Sequence, residues 1–161
     1  MSAQPESAVA PGAGLRILPM HAGLLPQVLE IELRAYAFPW TENIFRDCLK
    51  AGYSGWVLSD AQNHLRGYAL MSMAVGEAHV LNLCVDPSYQ QQGYGRLLLL
   101  HMMRIARAAN LTIVLLEVRR SNKAALRLYE SEGFKRIGLR KAYYPAADGR
   151  EDAFVLGYDI T

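Results

Sequence analysis

Apolar residues change their spacing several times along this chain, and each change marks an element. Leu15 to Leu18 reads as a short strand. After Pro19, the residues Leu25, Val28, Leu29 and Leu33 recur at helical spacing and predict a first helix. Phe38, Pro39 and Trp40 interrupt it. Thr41 then stands where an N-cap hydroxyl belongs, ahead of Ile44, Phe45, Cys48 and Leu49 on one face, which predicts a second helix closed by Gly52. Trp56 to Leu58 and Leu65 to Val75 read as strands joined in hairpin fashion through Asp60 to Asn63.

His79 to Val85 is a nearly continuous apolar strand, stopped by Asp86-Pro87 and followed by a glycine-containing loop. That loop opens into a helix from near Arg96 to about Ala109. Ile113 to Val118 returns as an apolar strand, Asn122 to Glu132 as a helix closed by Gly133, and Phe134 onward as two strands around Tyr143 to Arg150. Strand, helix, strand, helix in the middle implies a parallel pair, and hairpin-like strands on both sides imply antiparallel pairing. The pattern therefore predicts an α/β fold: a mixed, mostly antiparallel sheet of about seven strands, with about four helices on its faces.

The 161 residues suffice for one core and are too few for two ordinary domains. Residues 15–161 are read as that domain. Residues 1–14, rich in Ser, Ala, Pro and Gly and without a basic leader or an apolar run, are read as a disordered extension rather than a secretory signal. With 52% hydrophobic and 20% charged residues the composition is that of a globular protein, and a formal charge of +2 lacks the footprint of a nucleic-acid binder. No apolar run approaches the roughly 20 residues that span a bilayer. Cys48 and Cys84 lie far apart with no neighbours at metal-ligand spacing, so both are read as reduced thiols, no metal is expected, and the expected location is the cytoplasm.

The stretch from Val85 to Arg96 carries the strongest chemical signal, because it joins an apolar strand to a helix. Gly93 and Gly95 lack Cβ, so the backbone can approach a ligand and adopt positive φ, leaving helix-start N–H groups aimed at an anion. The helix dipole adds ~0.3–1 kcal/mol per charge at an exposed end. A pyrophosphate suits such a loop; a plain tight turn from strand to helix is the other reading. A Rossmann fingerprint would need a third glycine where Leu98 stands, and a P-loop would need Gly-Lys-Ser/Thr, so both are excluded.

Gln90 to Gly95, in a Q-x-x-G-x-G pattern after Asn82-Leu83-Cys84-Val85, resembles the acetyl-coenzyme A (acetyl-CoA) motif of the GCN5-related N-acetyltransferases, the GNAT superfamily. The resemblance implies that the backbone of Gln91, Gln92, Gly93, Tyr94, Gly95 and Arg96 cradles the pyrophosphate of acetyl-CoA. Leu83, Cys84 and Val85 would pair with its pantetheine arm as an extra strand would. The parallel strands ending at Val85 and Val118 should then splay into a V. Gln92 departs from the family pattern, since basic residues are common there.

Glu117 interrupts the apolar run Ile113 to Val118, where an unpaired carboxylate is costly to bury. Partly desolvated, with its pKa raised above about 4.3, it could take a proton from an amine; a salt bridge with Arg119 or a neighbour is the alternative. Tyr129, with a phenol pKa of about 10, could protonate a departing thiolate or simply be a core aromatic. Leu116 to Asn122 with Ala125, Leu128-Tyr129-Glu130 and Gly133-Phe134 resembles the second half of the same family's core, which implies Glu117 as proton acceptor, Tyr129 as proton donor and Asn122 as a coenzyme contact.

Ala37 to Thr41, Tyr143 to Ala146 and Gly149 to Ala153 look like the RimI-type alanine N-acetyltransferases that modify a ribosomal protein N-terminus, so the resemblance covers residues 15 to 160. It implies transfer of acetyl to the N-terminal alanine of small-subunit ribosomal protein eighteen. Trp40, Tyr143 and Tyr144 are candidate walls of an acceptor groove or packing residues, and Glu151 and Asp152 are candidate neutralisers of a cation near the amine or exposed loop charges. At pH 7 an α-amine with pKa of about 7.7–8.0 is on the order of a tenth neutral, far more than a lysine near about 10.4, which favours an N-terminal acceptor. A small amine, a protein lysine, or a non-catalytic coenzyme-binding role in ribosome assembly are the other readings. His21, His64, His79 and His101 are scattered with no apparent acid partner, so no role is predicted for them.

Overall fold

The computed structural model describes residues 8, 9 and 14–161. Its strands are β1 (Ala8–Val9), β2 (Arg16–Pro19), β3 (Ser54–Ser59), β4 (Leu65–Ala74), β5 (Glu77–Val85), β6 (Ile113–Arg119), β7 (Lys135–Ala146) and β8 (Gly149–Asp159). Its helices are α1 (Leu25–Ala35), α2 (Glu42–Lys50), α3 (Tyr94–Ala108) and α4 (Lys123–Ser131). One sheet holds the strands in the order β1-β2-β3-β4-β5-β6-β8-β7. Only β5 and β6 run parallel; the other neighbours are antiparallel. The seven expected strands are all present, and β1 extends one edge by pairing Ala8 with Ile17 and Val9 with Arg16. Most of the expected extension over residues 1–14 lies outside the described residues.

Local chemistry starts and stops the helices as the sequence suggests. Thr41 accepts the Ile44 amide at 3.4 Å and begins α2, while Asn122 accepts the Ala125 amide at 3.1 Å and begins α4. Gly52, at φ +80°, takes the left-handed conformation that lets the chain turn back after α2. The face of α1 differs from its expected stripe. Ile31 and Glu32 are buried beside Leu25 and Val28, whereas Leu33 is 64% exposed, because the sheet covers a stripe rotated by about one residue.

Helices pack on both faces of the sheet. Leu98, Leu99 and Met102 of α3 are fully buried against Leu58, Ala69, Met71, Val114 and Leu116, joined by Leu126 and Tyr129 of α4. On the other face, α1 and α2 bury Leu25, Val28, Ile31 and Phe45 against Val57, Tyr68, Leu70 and Cys84. Each such side chain contributes roughly 1.5–3 kcal/mol by leaving water.

One irregularity shapes the centre of the molecule. Leu70 pairs with Asn82 but Met71 pairs with Val80, so Leu81 is an extra, bulged residue in β5. In a regular strand Val80 and Cys84 would share a face. Here Val80 packs on the α3 side and Cys84 on the α1 side, because the bulge resets the alternation. Parallel pairing between β5 and β6 ends at this same point, with Val80 opposite Leu116. Bulges bend a strand and increase its twist. Beyond Leu81 the two strands diverge into the expected V.

Candidate active site

A cleft of about 730 Å³ fills the V, running from the α3 N-terminus past the open edge of β5 to the loop between α1 and α2. Among the described residues, 82–85 pair through the backbone only with β4, so the β6-facing edge of β5 has no strand partner and can take an extended ligand, with the Tyr36 hydroxyl reaching the Leu83 carbonyl at 3.4 Å. At one end the chain enters α3 through Gln91, at φ +61°, and Gly93, at φ +83°. Gly93 is required for its left-handed backbone rather than for space, since a Cβ there would meet nothing within 4 Å. Gly95 was expected to serve likewise, yet its φ is not positive and a Cβ would make ordinary contact with Leu128 at 3.4 Å.

The first backbone bond into α3 runs from Leu97 N to Gly93 O at 3.1 Å, which leaves the N–H groups of Tyr94, Gly95 and Arg96 without helical acceptors. Together with the helix dipole they favour an anion. Behind this loop, Arg66 donates to the Tyr94 hydroxyl at 2.7 Å and lies 4.4 Å above the Tyr89 ring, with Asp60 at 3.4 Å. That cluster clamps the loop from outside, so the Tyr94 side chain is a structural anchor. Arg96 pairs with Glu132 across to the end of α4. Gln92 is exposed and, alone among residues 91–96, does not line the cleft.

Glu117 and Tyr129 reach the cleft from different walls. Alternation along β6 buries Val114, Leu116 and Val118 under α3 and α4, and thereby turns Glu117 to the opposite face. Its carboxylate is engaged at both oxygens, by His79 Nε2 and, at 3.4 Å, by Arg140 Nε. Arg119, the ion-pair partner considered from the sequence, instead binds Glu151 at 3.1 Å and the Pro145 carbonyl at 2.8 Å. Tyr129, on α4, is 7% exposed, and its hydroxyl makes no hydrogen bond among the described residues. Burial first, then nearby Cys84, pushes its pKa up to about 12, so the phenol stays protonated at neutral pH. Cys84 itself is raised to about 11, chiefly by burial, which leaves a neutral thiol rather than a nucleophile.

The acceptor-side candidates divide. Trp40 and Tyr144 line the cleft, and burial, followed by the charge of Glu117, raises the Tyr144 hydroxyl well above its ordinary value. Tyr143 lies outside, edge-on to Tyr144 at 4.9 Å between ring centres. Glu151 and Asp152 do not line it either. Glu151 holds Arg119 and the Ser121 amide (2.9 Å), and Asp152 holds the Ala142 amide (2.9 Å), so both carboxylates brace the β6–α4 and β7–β8 backbone.

Two further groups, His79 beside Glu117 and Glu32 at the cleft wall, had no role predicted for them. His79 meets its acid partner through β5–β6 pairing, across 38 residues of chain that no local pattern bridges. Glu32, 1% exposed at the cleft wall, accepts from the Tyr68 hydroxyl, Asn82 Nδ2 (2.9 Å) and the Trp40 amide (2.9 Å). A signal existed for Glu32: it continues the stripe of Leu25 and Val28, where a lone carboxylate is out of place.

Residues 25–134 match the sequence profile of the Acetyltransferase (GNAT) family. The ribosomal protein bS18-alanine N-acetyltransferase of Escherichia coli is 40% identical over 137 residues, 85% of this chain and 92% of that protein. The enzyme of the same name from Haemophilus ducreyi is 36% identical over 131 residues, 81% and 90% of the respective chains. The crystal structure of the Escherichia coli enzyme superposes with a TM-score of 0.86 at 38% identity, covering 91% of this chain and 94% of that one. Arabidopsis thaliana NAA60, solved in complex with acetyl-CoA, shares the fold at a TM-score of 0.83 and 16% identity, over 91% and 98% of the chains.

Proposed function

The chain belongs to the Acetyltransferase (GNAT) family, and we propose that it moves the acetyl group of acetyl-CoA directly to the N-terminal α-amine of a protein, most specifically the N-terminal alanine of small-subunit ribosomal protein eighteen. The observation that carries this reading is the loss of pairing beyond Val80 and Leu116, which opens a strand edge between Glu117 and Tyr129. The residues present suit the donor. Three unpaired amides at the start of α3 match a pyrophosphate, and the free edge at Leu83, Cys84 and Val85 matches the amide-bearing pantetheine arm. Asn122 spends its side-chain oxygen on capping α4, leaving its amide N–H groups for the same ligand.

Glu117 is the proton acceptor in this reading and Tyr129 the proton donor. Glu117 takes the proton of the α-ammonium, freeing the lone pair that forms the new C–N bond; Tyr129 supplies a proton to the sulfur as the C–S bond breaks, and the second proton that the nitrogen sheds on becoming an amide returns to Tyr129. An α-amine needs less help than a lysine to become neutral, which suits a carboxylate base. Trp40 and Tyr144 flank the acceptor end. Residues 15–161 form the acetyltransferase domain in this proposal, with residues 1–14 as an extension, working in the cytoplasm where the acceptor is made. No described helix is long and apolar enough to cross a membrane.

The test uses purified protein, acetyl-CoA and two peptides, one beginning with Ala and one with blocked Ala plus an internal Lys. Mass spectrometry is expected to show acetyl only on the Ala amine. Glu117→Gln and Tyr129→Phe should each lose about 10²–10⁴-fold in kcat while calorimetry finds acetyl-CoA affinity unchanged. Labelling of Lys alone would overturn the α-amine assignment, and full turnover by both variants would overturn the roles.

A further inference from the structure

Parallel pairing that ends at Val80 and Leu116 brings His79 Nε2 onto Glu117 Oε2. Acetyl transfer as described makes no use of His79. Its side chain is 31% exposed whereas that of Glu117 is 8% exposed, so the imidazole stands between a buried carboxylate and water. The other ring nitrogen, Nδ1, has no hydrogen-bond partner among the described residues. Histidine is the side chain whose ordinary pKa lies nearest the operating pH of such an exchange.

A proton accepted by Glu117 must leave before the next turnover, and the other groups facing this carboxylate cannot carry it. Arg140, at 3.4 Å, is a permanent cation. Arg119 is likewise fixed in charge and tied to Glu151 and the Pro145 carbonyl. The Tyr144 hydroxyl, raised by burial, already holds its proton, and Tyr129, likewise raised by burial, regains from the acetylated nitrogen the proton it gives to sulfur. Among the described residues that contact this carboxylate, only the imidazole combines a vacant lone pair in one tautomer with access to solvent.

We propose that His79 is the proton exit of this site, a positioning residue that orients Glu117 and relays the amine's proton from it to water. The proposal rests on Glu117 being the proton acceptor. In the relay the O–H bond of protonated Glu117 breaks as an N–H bond forms at Nε2, giving a carboxylate and an imidazolium. The imidazolium then releases its Nδ1 proton to water, and exchange with water at the ring nitrogens restores the first tautomer. One proton leaves for each acetyl group transferred, and no oxidation or reduction occurs. Arg140 favours the direction of this step, because it stabilises the regenerated carboxylate.

The experiment measures kcat and KM against pH for the full chain and for His79→Gln, His79→Ala and Glu117→Gln, with acetyl-CoA and the Ala-initiated peptide. Both His79 variants are expected to lose ~10–100-fold in kcat, to keep the KM for acetyl-CoA, and to change the pH profile of kcat. Added imidazole should restore His79→Ala in proportion to its neutral fraction, a response that a purely structural role would not produce. His79→Gln with the wild-type profile at every pH, or a natively folded His79→Ala indifferent to imidazole, overturns the relay. Loss of activity in Glu117→Gln alongside unimpaired His79 variants removes the relay alone; wild-type turnover by Glu117→Gln removes the acceptor assignment as well.

Discussion

Replacing Glu32 with alanine should be among the most damaging single changes outside the proposed reacting groups. The carboxylate is 1% exposed and is the common acceptor for the Tyr68 hydroxyl, Asn82 Nδ2 and the Trp40 amide. Alanine leaves those donors without their acceptor, and an unpaired buried donor costs about 1–3 kcal/mol. Taking only the lower half of that range for each of the three donors, to allow for the relief of no longer burying a charge, the loss comes to roughly 3–6 kcal/mol. Domains are held by about 5–15 kcal/mol in total, so the variant should be close to unfolding.

Glu32→Gln should behave differently. Its oxygen can still accept from Trp40, and its new NH₂ group can donate to the Tyr68 oxygen once that hydroxyl rotates. Asn82 must then turn its amide over to present an oxygen, a rearrangement of about 1–2 kcal/mol. In a protein of this size each kcal/mol moves Tm by ~2–4 °C, so circular dichroism melts should fall by roughly 6–24 °C for alanine and roughly 2–8 °C for glutamine. Urea titrations with unchanged slope would confirm that the shift is one of stability. A Glu32→Ala melt within about 2 °C of the parent, or equal losses for both variants, would refute the network as a stabilising unit.

Further changes follow from packing and protonation. Gly67 lets β4 approach β5 so closely that a Cβ would lie 2.7 Å from the Cys84 carbonyl and 3.1 Å from Leu98 Cδ1, so Gly67→Ala should cost ~1–3 kcal/mol in urea unfolding. His101 is 2% exposed, edge-on to Trp56, with both ring nitrogens unpartnered among the described residues; burial, aided by Arg104, lowers its pKa to about 4. The unfolded chain therefore binds a proton that the folded one refuses, and stability should fall as pH drops from about 6.5 toward about 4, levelling below that. His101→Leu should flatten this part of the stability curve, and an unchanged acid slope would count against a neutral buried imidazole.

Much of the fold was legible because its causes are local. Thr41, Gly52 and Gly133 act at the helix ends where side chain or backbone freedom suggested, and the observed strands follow the apolar runs read from the sequence. Glycine spacing pointed to the loop that leads into α3, although the requirement for φ above zero proved to belong to Gly93 and not to Gly95. Leu33 was misplaced for the reason helical stripes often are: a shift of one residue turns the face by about 100°, and only the sheet beneath α1 decides which side is covered.

Period, capping and glycine placement thus determined the elements, their order and the need for one parallel pair, since each depends on residues within a few positions of one another. Tertiary structure alone decided the site's working geometry. Where β5 leaves β6 depends on the single extra residue at Leu81, whose effect appears only when β4 supplies the register against which it is extra. His79 beside Glu117, Glu32 beneath Trp40, and Arg119 held by Glu151 are contacts between segments brought together by sheet order. Hydrogen bonding and charge act over a few ångströms of space, not of sequence, so these partnerships come into being only when the strands are assembled.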